Sequence, residues 1–108
     1  MSDDNVGSPV DDVDPALLKV MGSKKTGREG KEYVKKLANA ILKVISKHNI
    51  ARLRAVGGAA VSNAYKALAI AEDKARQDGI ELVENTQFCE VDFNGEIKTG
   101  FMKEVFKR

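Results

Sequence analysis

The sequence predicts an α+β fold in which two helices cover one face of a mixed four-stranded sheet, in the order strand-helix-strand-helix-strand-strand. Apolar residues recur at three- and four-residue steps from Val34 to Ile45, which is typical of an amphipathic helix, and a second long segment rich in alanine and aliphatic residues follows Gly57-Gly58. Short β-permissive runs separate and follow these segments. Asn94-Gly95 is a strong two-residue hairpin signal, so the last two strands are expected to pair antiparallel.

Length and composition fit one folded domain behind an acidic tail. The chain has 108 residues, of which 43% are hydrophobic, enough for a small core. Residues 1–15 are polar and carry no Lys or Arg, so we predict a disordered acidic tail there and a folded domain over residues 16–108. The acidic residues of the tail are Asp3, Asp4, Asp11, Asp12 and Asp14.

The first strand and helix lie on either side of a basic loop. The apolar run ALLKVM, which begins at Ala16, predicts the first strand, and GSKKTGREGK predicts the loop. A helix is expected from about Lys31. It should end near His48 and Asn49, because asparagine tolerates the left-handed conformation that ends helices.

The second strand and helix meet at a pair of glycines. The run IARLRAV is short and β-permissive and predicts a strand that ends at Gly57 and Gly58. A helix over about residues 59–77 follows, and Asp78 and Gly79 should stop it. Right-handed crossovers between the strands would place both helices on one face of the sheet.

The last two strands complete the sheet. IELVE predicts the third strand, and the alternating run FCEVDF leads into the hairpin. The last strand is expected from about Glu96 to Lys107. A glycine inside a strand is typical of a bulge, which we therefore expect at Gly100.

The second helix is apolar around most of its circumference. Such a helix must be covered on more than one side, and one sheet cannot do this. We therefore expect a second subunit to cover it in a closed two-fold dimer; the alternative is a helix that tolerates exposed alanines. The apolar residues concerned are Val61, Ala64, Tyr65, Leu68, Ala69, Ile70 and Ala71.

No catalytic or metal-binding pattern is visible, so we predict no enzyme activity, metal or cofactor. The one histidine, His48, is at a helix end, where it is expected to interact with free carbonyls. The one cysteine, Cys89, excludes an intrachain disulfide and is expected to be a small core residue. With no secretory signal and no apolar run long enough to span a membrane, a cytoplasmic location is expected.

The charge distribution favours a polyanion as partner. The net charge is +2, but residues 16–108 hold 18 basic and only 11 acidic side chains. A basic body with an acidic tail is typical of nucleic-acid-binding proteins. The alternative is a lysine-rich surface that only keeps the protein in solution.

The basic loop is the first candidate binding site. Lys24, Lys25, Arg28 and Lys31 precede or begin a helix, and free backbone amides at a helix N-terminus favour anions. The lysines would neutralise phosphates, although the order of residues is not that of a P-loop. The alternative is a solubilising loop.

The start of the second helix is the second candidate binding site. Gly57 and Gly58 open this helix, and Ser62, Asn63 and Lys66 lie on one side of its first turns. Helix N-termini that follow adjacent parallel strands meet at one edge of a sheet, so this site should lie beside the basic loop. The alternative is helix capping alone by Ser62 and Asn63.

The motifs LKV, SKK, AVGGAAVSNAYKALAIA and GIELVENTQFCEVDFNGEIKTGFMKEVFKR give the chain a resemblance to stage V sporulation protein S. The resemblance extends over about residues 17–107. It rests mainly on the helix motif from Ala60 to Ala71 and on the Asn94-Gly95-Glu96 turn. That family in turn resembles Alba, the archaeal chromatin and RNA-binding protein, and the C-terminal domain of translation initiation factor 3.

The resemblance implies a dimer that binds DNA or RNA through the loop after the first strand and through the hairpin. Alba carries Gly-Lys-Lys in that loop, where this chain has Ser23-Lys24-Lys25. We therefore expect a small dimeric nucleic-acid-binding protein of low sequence specificity, in the role of a regulator of bacterial development such as sporulation. The alternative is a protein-interaction module that uses the second helix and the hairpin. The predicted nucleic-acid-binding residues are Lys24, Lys25, Arg28, Lys31, Arg52, Arg54, Gly57, Gly58, Asn63, Lys66 and Lys98.

Overall fold

Six elements follow one another in the predicted order. The structure, a computed structural model, describes residues 14–22 and 27–108. The predicted succession of strands and helices is confirmed. The elements are β1 (Leu17–Val20), α1 (Gly27–His48), β2 (Ile50–Ala55), α2 (Gly58–Gln77), β3 (Leu82–Phe93) and β4 (Glu96–Lys107).

The four strands form one mixed sheet in the order β1-β2-β4-β3. β1 runs parallel to β2, while β4 runs antiparallel to both β2 and β3. At the predicted hairpin, Asn94 and Gly95 have φ of 54° and 85°, the positive values that a type I′ turn requires. The Gly95 N–H donates a hydrogen bond of 2.8 Å to Asp92 Oδ1 across this turn.

Both helices pack on the same face of the sheet. Ala51, Leu53 and Ala55 alternate along β2 and are buried, because every second side chain of a strand points to one face. Fully buried residues such as Ile41 of α1 and Leu68 of α2 belong to the same core cluster. The other face of the sheet, which we call the open face, carries the intervening residues of β2.

The ends of the helices follow the predicted signals. Asn49 adopts φ of 66° after α1, and its N–H donates to the Ile45 carbonyl at 2.8 Å. Gly79 adopts φ of 76° after α2, and its N–H donates to the Arg76 carbonyl at 2.9 Å. The left-handed conformation that ends each helix is one that asparagine and glycine adopt at low cost.

The start of α1 differs from the prediction. The helix begins at Gly27, four residues before the expected start, so Arg28 and Lys31 belong to its first turns. Gly27 and Gly30 indicated a loop, but glycine only weakens a helix by about 1 kcal/mol. Packing of the stripe that begins at Val34 outweighs that cost.

The bulge predicted at Gly100 is wrong. The register between β3 and β4 is continuous through the pair Cys89–Gly100. A Cβ atom on Gly100 would lie 2.6 Å from the Ala55 carbonyl oxygen and 2.7 Å from Val56 Cγ2. Glycine is therefore needed because the chain that leaves β2 passes directly over this position.

Some predictions fall on residues that are not described. Of the predicted tail, residues 1–13 lie outside the described residues, as do Lys24 and Lys25. Within the described residues, no helix is long and apolar enough to cross a membrane.

Candidate nucleic-acid interface

The carboxyl ends of β1 and β2 and the amino ends of α1 and α2 lie at one edge of the fold, which we call the helix edge. Val20 and Ala55, the last residues of the two parallel strands, are register partners. Gly22 packs against the start of α2. A Cβ atom on Gly22 would lie 3.3 Å from the Ala60 backbone nitrogen. The predicted convergence of the two candidate sites is thus supported by contacts between the described residues.

Met21 is held between the two helices by both of its backbone polar groups. Its N–H donates to the Tyr33 hydroxyl of α1 at 2.8 Å, and its carbonyl accepts from Asn63 Nδ2 of α2 at 2.9 Å. Burial raises the pKa of Tyr33, so the neutral hydroxyl is the form present at physiological pH. The loop that follows β1 therefore starts from a fixed point at the helix edge.

Asn63 makes a contact with the loop that the sequence analysis did not predict, and its predicted contact with phosphate or sugar stays a prediction. Its amide is committed to the Met21 carbonyl and so orients the loop. Sequence reasoning missed Tyr33 altogether. A tyrosine on the half-buried side of α1 gave no signal of its own, because its partner is a backbone group twelve residues away.

The glycines at the start of α2 leave the backbone accessible. Gly57 has φ of 92°, which favours glycine, and its carbonyl accepts a hydrogen bond of 3.0 Å from the Val61 N–H. A Cβ on either Gly57 or Gly58 would have no atom within 4 Å. The fold itself does not require a glycine at position 58, but a ligand that approaches the backbone would.

Exposed basic side chains surround this edge. Arg28 and Lys31 are exposed on the first turns of α1, and Lys66 and Ser62 are exposed on α2. Lys24 and Lys25, which lie between β1 and α1 in sequence, are outside the described residues. Arg28, Lys31 and Lys66 are thus exposed on the two helices that hold Met21.

Arg54 lies on the open face and has a neighbour that the sequence analysis did not name. Lys19 of β1 is its register partner. Both residues line a shallow cavity of about 220 Å³, together with Gly22, Val56 and Val91. The alternation of side chains in two parallel strands was a sufficient signal to pair Lys19 with Arg54.

Arg52 and Lys98 lie away from the start of α2. The Arg52 guanidinium contacts two carboxylates on the open face, Asp14 at 3.1 Å and Glu104 at 3.0 Å. These ion pairs reduce its attraction for phosphate. Lys98 is exposed on β4, opposite Val91, and is therefore close to the cavity rather than to the helix N-termini.

An apolar surface, which we call the hairpin patch, extends from α2 onto the β3–β4 hairpin. Phe88 is 75% exposed, Ile97 61% and Tyr65 56%. Phe101 completes the patch, with its ring centroid 5.3 Å from that of Phe88. The helices of the described chain do not cover these side chains.

A polar cluster, which we call the lysine network, lies beside the hairpin patch. Lys103 is only 6% exposed, and its Nζ donates to Glu84 Oε1 at 3.0 Å and to Thr86 Oγ1 at 2.6 Å. The same Nζ lies 4.4 Å from the centre of the Tyr65 ring. The buried cation is thus neutralised by Glu84, as a buried charge must be.

Two carboxyl groups lie at this network, and their pKa values are shifted in opposite directions. A hydrogen bond with Glu84, together with burial, raises the pKa of Glu72 to about 7. Burial alone would also raise the pKa of Glu84, but hydrogen bonds from Glu72 and Lys103 outweigh it and lower that pKa. Near neutral pH, Glu84 carries the charge that balances Lys103.

Two further residues were singled out by the sequence analysis, the one histidine and the one cysteine. His48 ends α1, as predicted, whereas Cys89 is half-buried on the open face, so its prediction as a core residue is wrong. Over residues 14–22 and 27–108, no three His, Cys, Asp or Glu side chains are placed to hold a metal ion.

Fold and site together define a small α+β domain with a basic edge and an apolar hairpin. The chain belongs to the stage V sporulation protein S family, whose model matches residues 29–108, from the first turn of α1 through β4. Membership associates the chain with a sporulation-related role. No curated protein is significantly similar to the sequence.

Proposed function

We propose that this protein binds DNA or RNA with low sequence specificity at the helix edge, as a regulator of sporulation or a related developmental process in the cytoplasm. The proposal is one of binding without catalysis. The observation that carries it is the fixation of Met21 between α1 and α2. Lys24 follows Met21 by three residues, so the chain keeps its Cα within about 11 Å of that fixed point.

The chemistry of the helix edge suits phosphate. Arg28, Lys31 and Lys66 supply positive charge, and the amides at the start of α2 are accessible past Gly57 and Gly58. Contacts of this kind go to the nucleic-acid backbone, which is the same in every sequence. We therefore expect similar affinities for unrelated sequences.

The test is the double variant Lys24→Ala with Lys25→Ala, measured by the fluorescence anisotropy of labelled single-stranded RNA and duplex DNA at two salt concentrations. The variant should bind all sequences more weakly. The slope of log affinity against log salt concentration should become shallower by about two.

The matched control is Lys43→Ala with Lys47→Ala, which removes two exposed lysines near the far end of α1. It lowers the net charge equally but leaves the helix edge intact. Unchanged affinity in the first variant, or an equal loss in the control, would contradict the proposed site.

We also propose that a second copy of the chain covers the hairpin patch. Support comes from the exposure of Phe88, Ile97 and Tyr65 on the helix-bearing side of the sheet, since large exposed apolar side chains that lie together mark interaction sites. A closed dimer would place two helix edges in one particle and so increase the number of phosphates contacted. The alternative occupant is a different protein, in which case the chain is a protein-interaction module.

Light scattering after size-exclusion chromatography tests the dimer. We expect a dimer for the natural sequence and a monomer for Phe88→Ser. Met21→Ser is the control, because Met21 is 62% exposed and follows β1, which two strands separate from β3, so it should not affect association. If the natural protein is monomeric at high concentration, the result would favour a different protein as the occupant of the hairpin patch.

A further inference from the structure

The open face of the sheet carries a basic strip beside the helix edge. Leu53 and Ala55 are buried under the helices, so Arg52 and Arg54 point to the opposite face. Lys19 pairs with Arg54 in the register of β1 and β2 and lies on the same face. We call Lys19, Arg52 and Arg54 the sheet strip.

One aspartate already lies on this strip. Asp14 contacts the Arg52 guanidinium at 3.1 Å, and its Oδ1 also accepts a hydrogen bond of 3.0 Å from the Ala16 N–H. Arg52 is held from its other side by Glu104 at 3.0 Å. The chain therefore enters β1 with an acidic side chain fixed on the open face.

The residues before Asp14 continue the same chemistry. Residues 1–13 contain four aspartates and no Lys or Arg. Arg54 is two residues beyond Arg52, about 7 Å along the strand, so Asp11 or Asp12 needs only two or three residues of chain to reach it. Thirteen extended residues span about 45 Å, which is ample for the whole strip.

We propose that residues 1–13 dock on the sheet strip through ion pairs with Lys19 and Arg54 and compete there with nucleic acid. The strip adjoins the helix edge, because Lys19 and Arg54 share a cavity with Gly22 and Val56. A tethered segment acts at a high effective concentration, so weak ion pairs are enough for occupancy. The competition rests on the proposed function, whereas the docking does not.

The acidic segment lies outside the residues that the family model matches. The family match begins at residue 29, after both the acidic segment and β1. The segment would set the affinity of this protein for polyanions without any change in the domain.

The decisive variant replaces the four aspartates of the segment by asparagine in the full-length chain. It keeps the length of the segment and removes only its charge. The control removes four exposed carboxylates elsewhere and so changes the net charge equally. The control substitutions are Asp73→Asn, Asp78→Asn, Glu81→Gln and Glu90→Gln.

Docking is measured by the amide NMR spectra of the natural protein and the two variants. We expect the segment variant to shift the resonances of Leu17–Val20 and Ile50–Ala55, and the control to leave them in place. Adding Lys19→Gln and Arg54→Gln should abolish the difference made by the segment. If the segment variant leaves those resonances unshifted, docking on the strip is overturned.

Competition is measured by anisotropy with a labelled 20-nucleotide RNA. The segment variant should bind roughly tenfold more tightly than the natural protein at low salt, with a difference that shrinks as salt rises. The control variant should gain much less affinity for the RNA. Equal gains in RNA affinity in both variants would mean that only net charge matters and would overturn competition. If none of the proteins binds the RNA, the proposed function is contradicted, and docking is then judged from the NMR spectra alone.

Discussion

The helix edge and the hairpin patch lie at different parts of one small sheet and are built in opposite ways. At the helix edge, backbone groups of Met21 are bonded to side chains of two helices, and the outward side chains are basic. At the hairpin patch, aromatic side chains are exposed, and the cation that lies over the Tyr65 ring, Lys103, is buried and neutralised.

The difference teaches that two kinds of binding can be separated in this molecule. A basic, hydrogen-bonded edge suits a hydrated polyanion, whereas an apolar surface with its charge removed suits a protein surface. Substitutions in one region should therefore leave the other region intact, unless they alter the packing that joins the two regions.

Gly100 is the joint between the two regions and should show the largest effect. A Cβ there would lie 2.6 Å from a backbone oxygen of Ala55, which cannot move without displacing β2. We expect Gly100→Ala to lower the free energy of unfolding by about 3 kcal/mol, as measured by urea denaturation.

The matched control is Gly58→Ala, where the added methyl group meets open space in the first turn of α2. It should change stability by less than about 1 kcal/mol, and a small gain is expected from the higher helix propensity of alanine. Equal losses in the two variants would show that Gly100 is not a close-packed joint.

Lys103→Met should have the next largest effect, confined to the hairpin end. It leaves Glu84 and Glu72 without the buried cation, and it removes the contact with Tyr65. Loss of one partner of a buried pair costs about 3–5 kcal/mol, and we expect about 2 kcal/mol here because Glu84 is partly exposed.

The double variant Lys103→Met with Glu84→Gln tests the reason for that loss. It removes the uncompensated charge and should recover at least half of the lost stability. Failure to recover would mean that Lys103 contributes by packing alone.

Stability at the hairpin end should also depend on pH. The pKa of Glu72 rises from its ordinary value of 4.5 to about 7 because of a hydrogen bond with Glu84 and burial, while Arg76 and Lys103 oppose the rise. An acid that binds its proton more tightly in the folded state loses stability as pH rises between the two pKa values. We therefore expect a loss of about 1 kcal/mol between pH 4.5 and 7, after allowance for solvent screening.

Thermal unfolding over that range of pH measures the effect. Glu72→Gln keeps the hydrogen bond to Glu84 without a titrating group and should remove this component of the pH dependence. If the stability of Glu72→Gln depends on pH in the same way as that of the natural protein, the raised pKa of Glu72 is contradicted.

Asn63→Ala should have the smallest effect on stability and should act at the helix edge alone. Removal of one exposed hydrogen bond to the Met21 carbonyl should cost about 0.5–1 kcal/mol. Nucleic-acid affinity should fall severalfold nonetheless, because the loop loses its fixed start. The lysine network is the internal control: the pH dependence due to Glu72 should persist in Asn63→Ala.

Most of the fold was predictable because local signals agreed with the tertiary structure. Asn49 and Gly79 mark helix ends through a backbone conformation that few residues adopt, and Asn94-Gly95 fixes the hairpin in the same way. The start of α1 was misplaced because glycine weakens a helix without forbidding one.

The candidate site was predictable only in part. The sequence placed basic residues before helix N-termini, and the parallel pairing of β1 and β2 brought the two segments to one edge. The role of Asn63 in orienting the loop was not predictable, because its partner lies 42 residues away. The pairing of Arg52 with Asp14 and Glu104 depends likewise on contacts between distant strands.

By itself the sequence determined the order of the elements, their turns, the excess of basic residues behind an acidic segment and the family. These properties depend on periodicity, local backbone preference and composition. Only the tertiary structure decided that Gly100 serves a close contact rather than a bulge, that Lys103 is buried beside two carboxyl groups, and that Met21 is held by both helices. Each of these features is a contact between residues far apart in the chain, and no local preference of either partner encodes it.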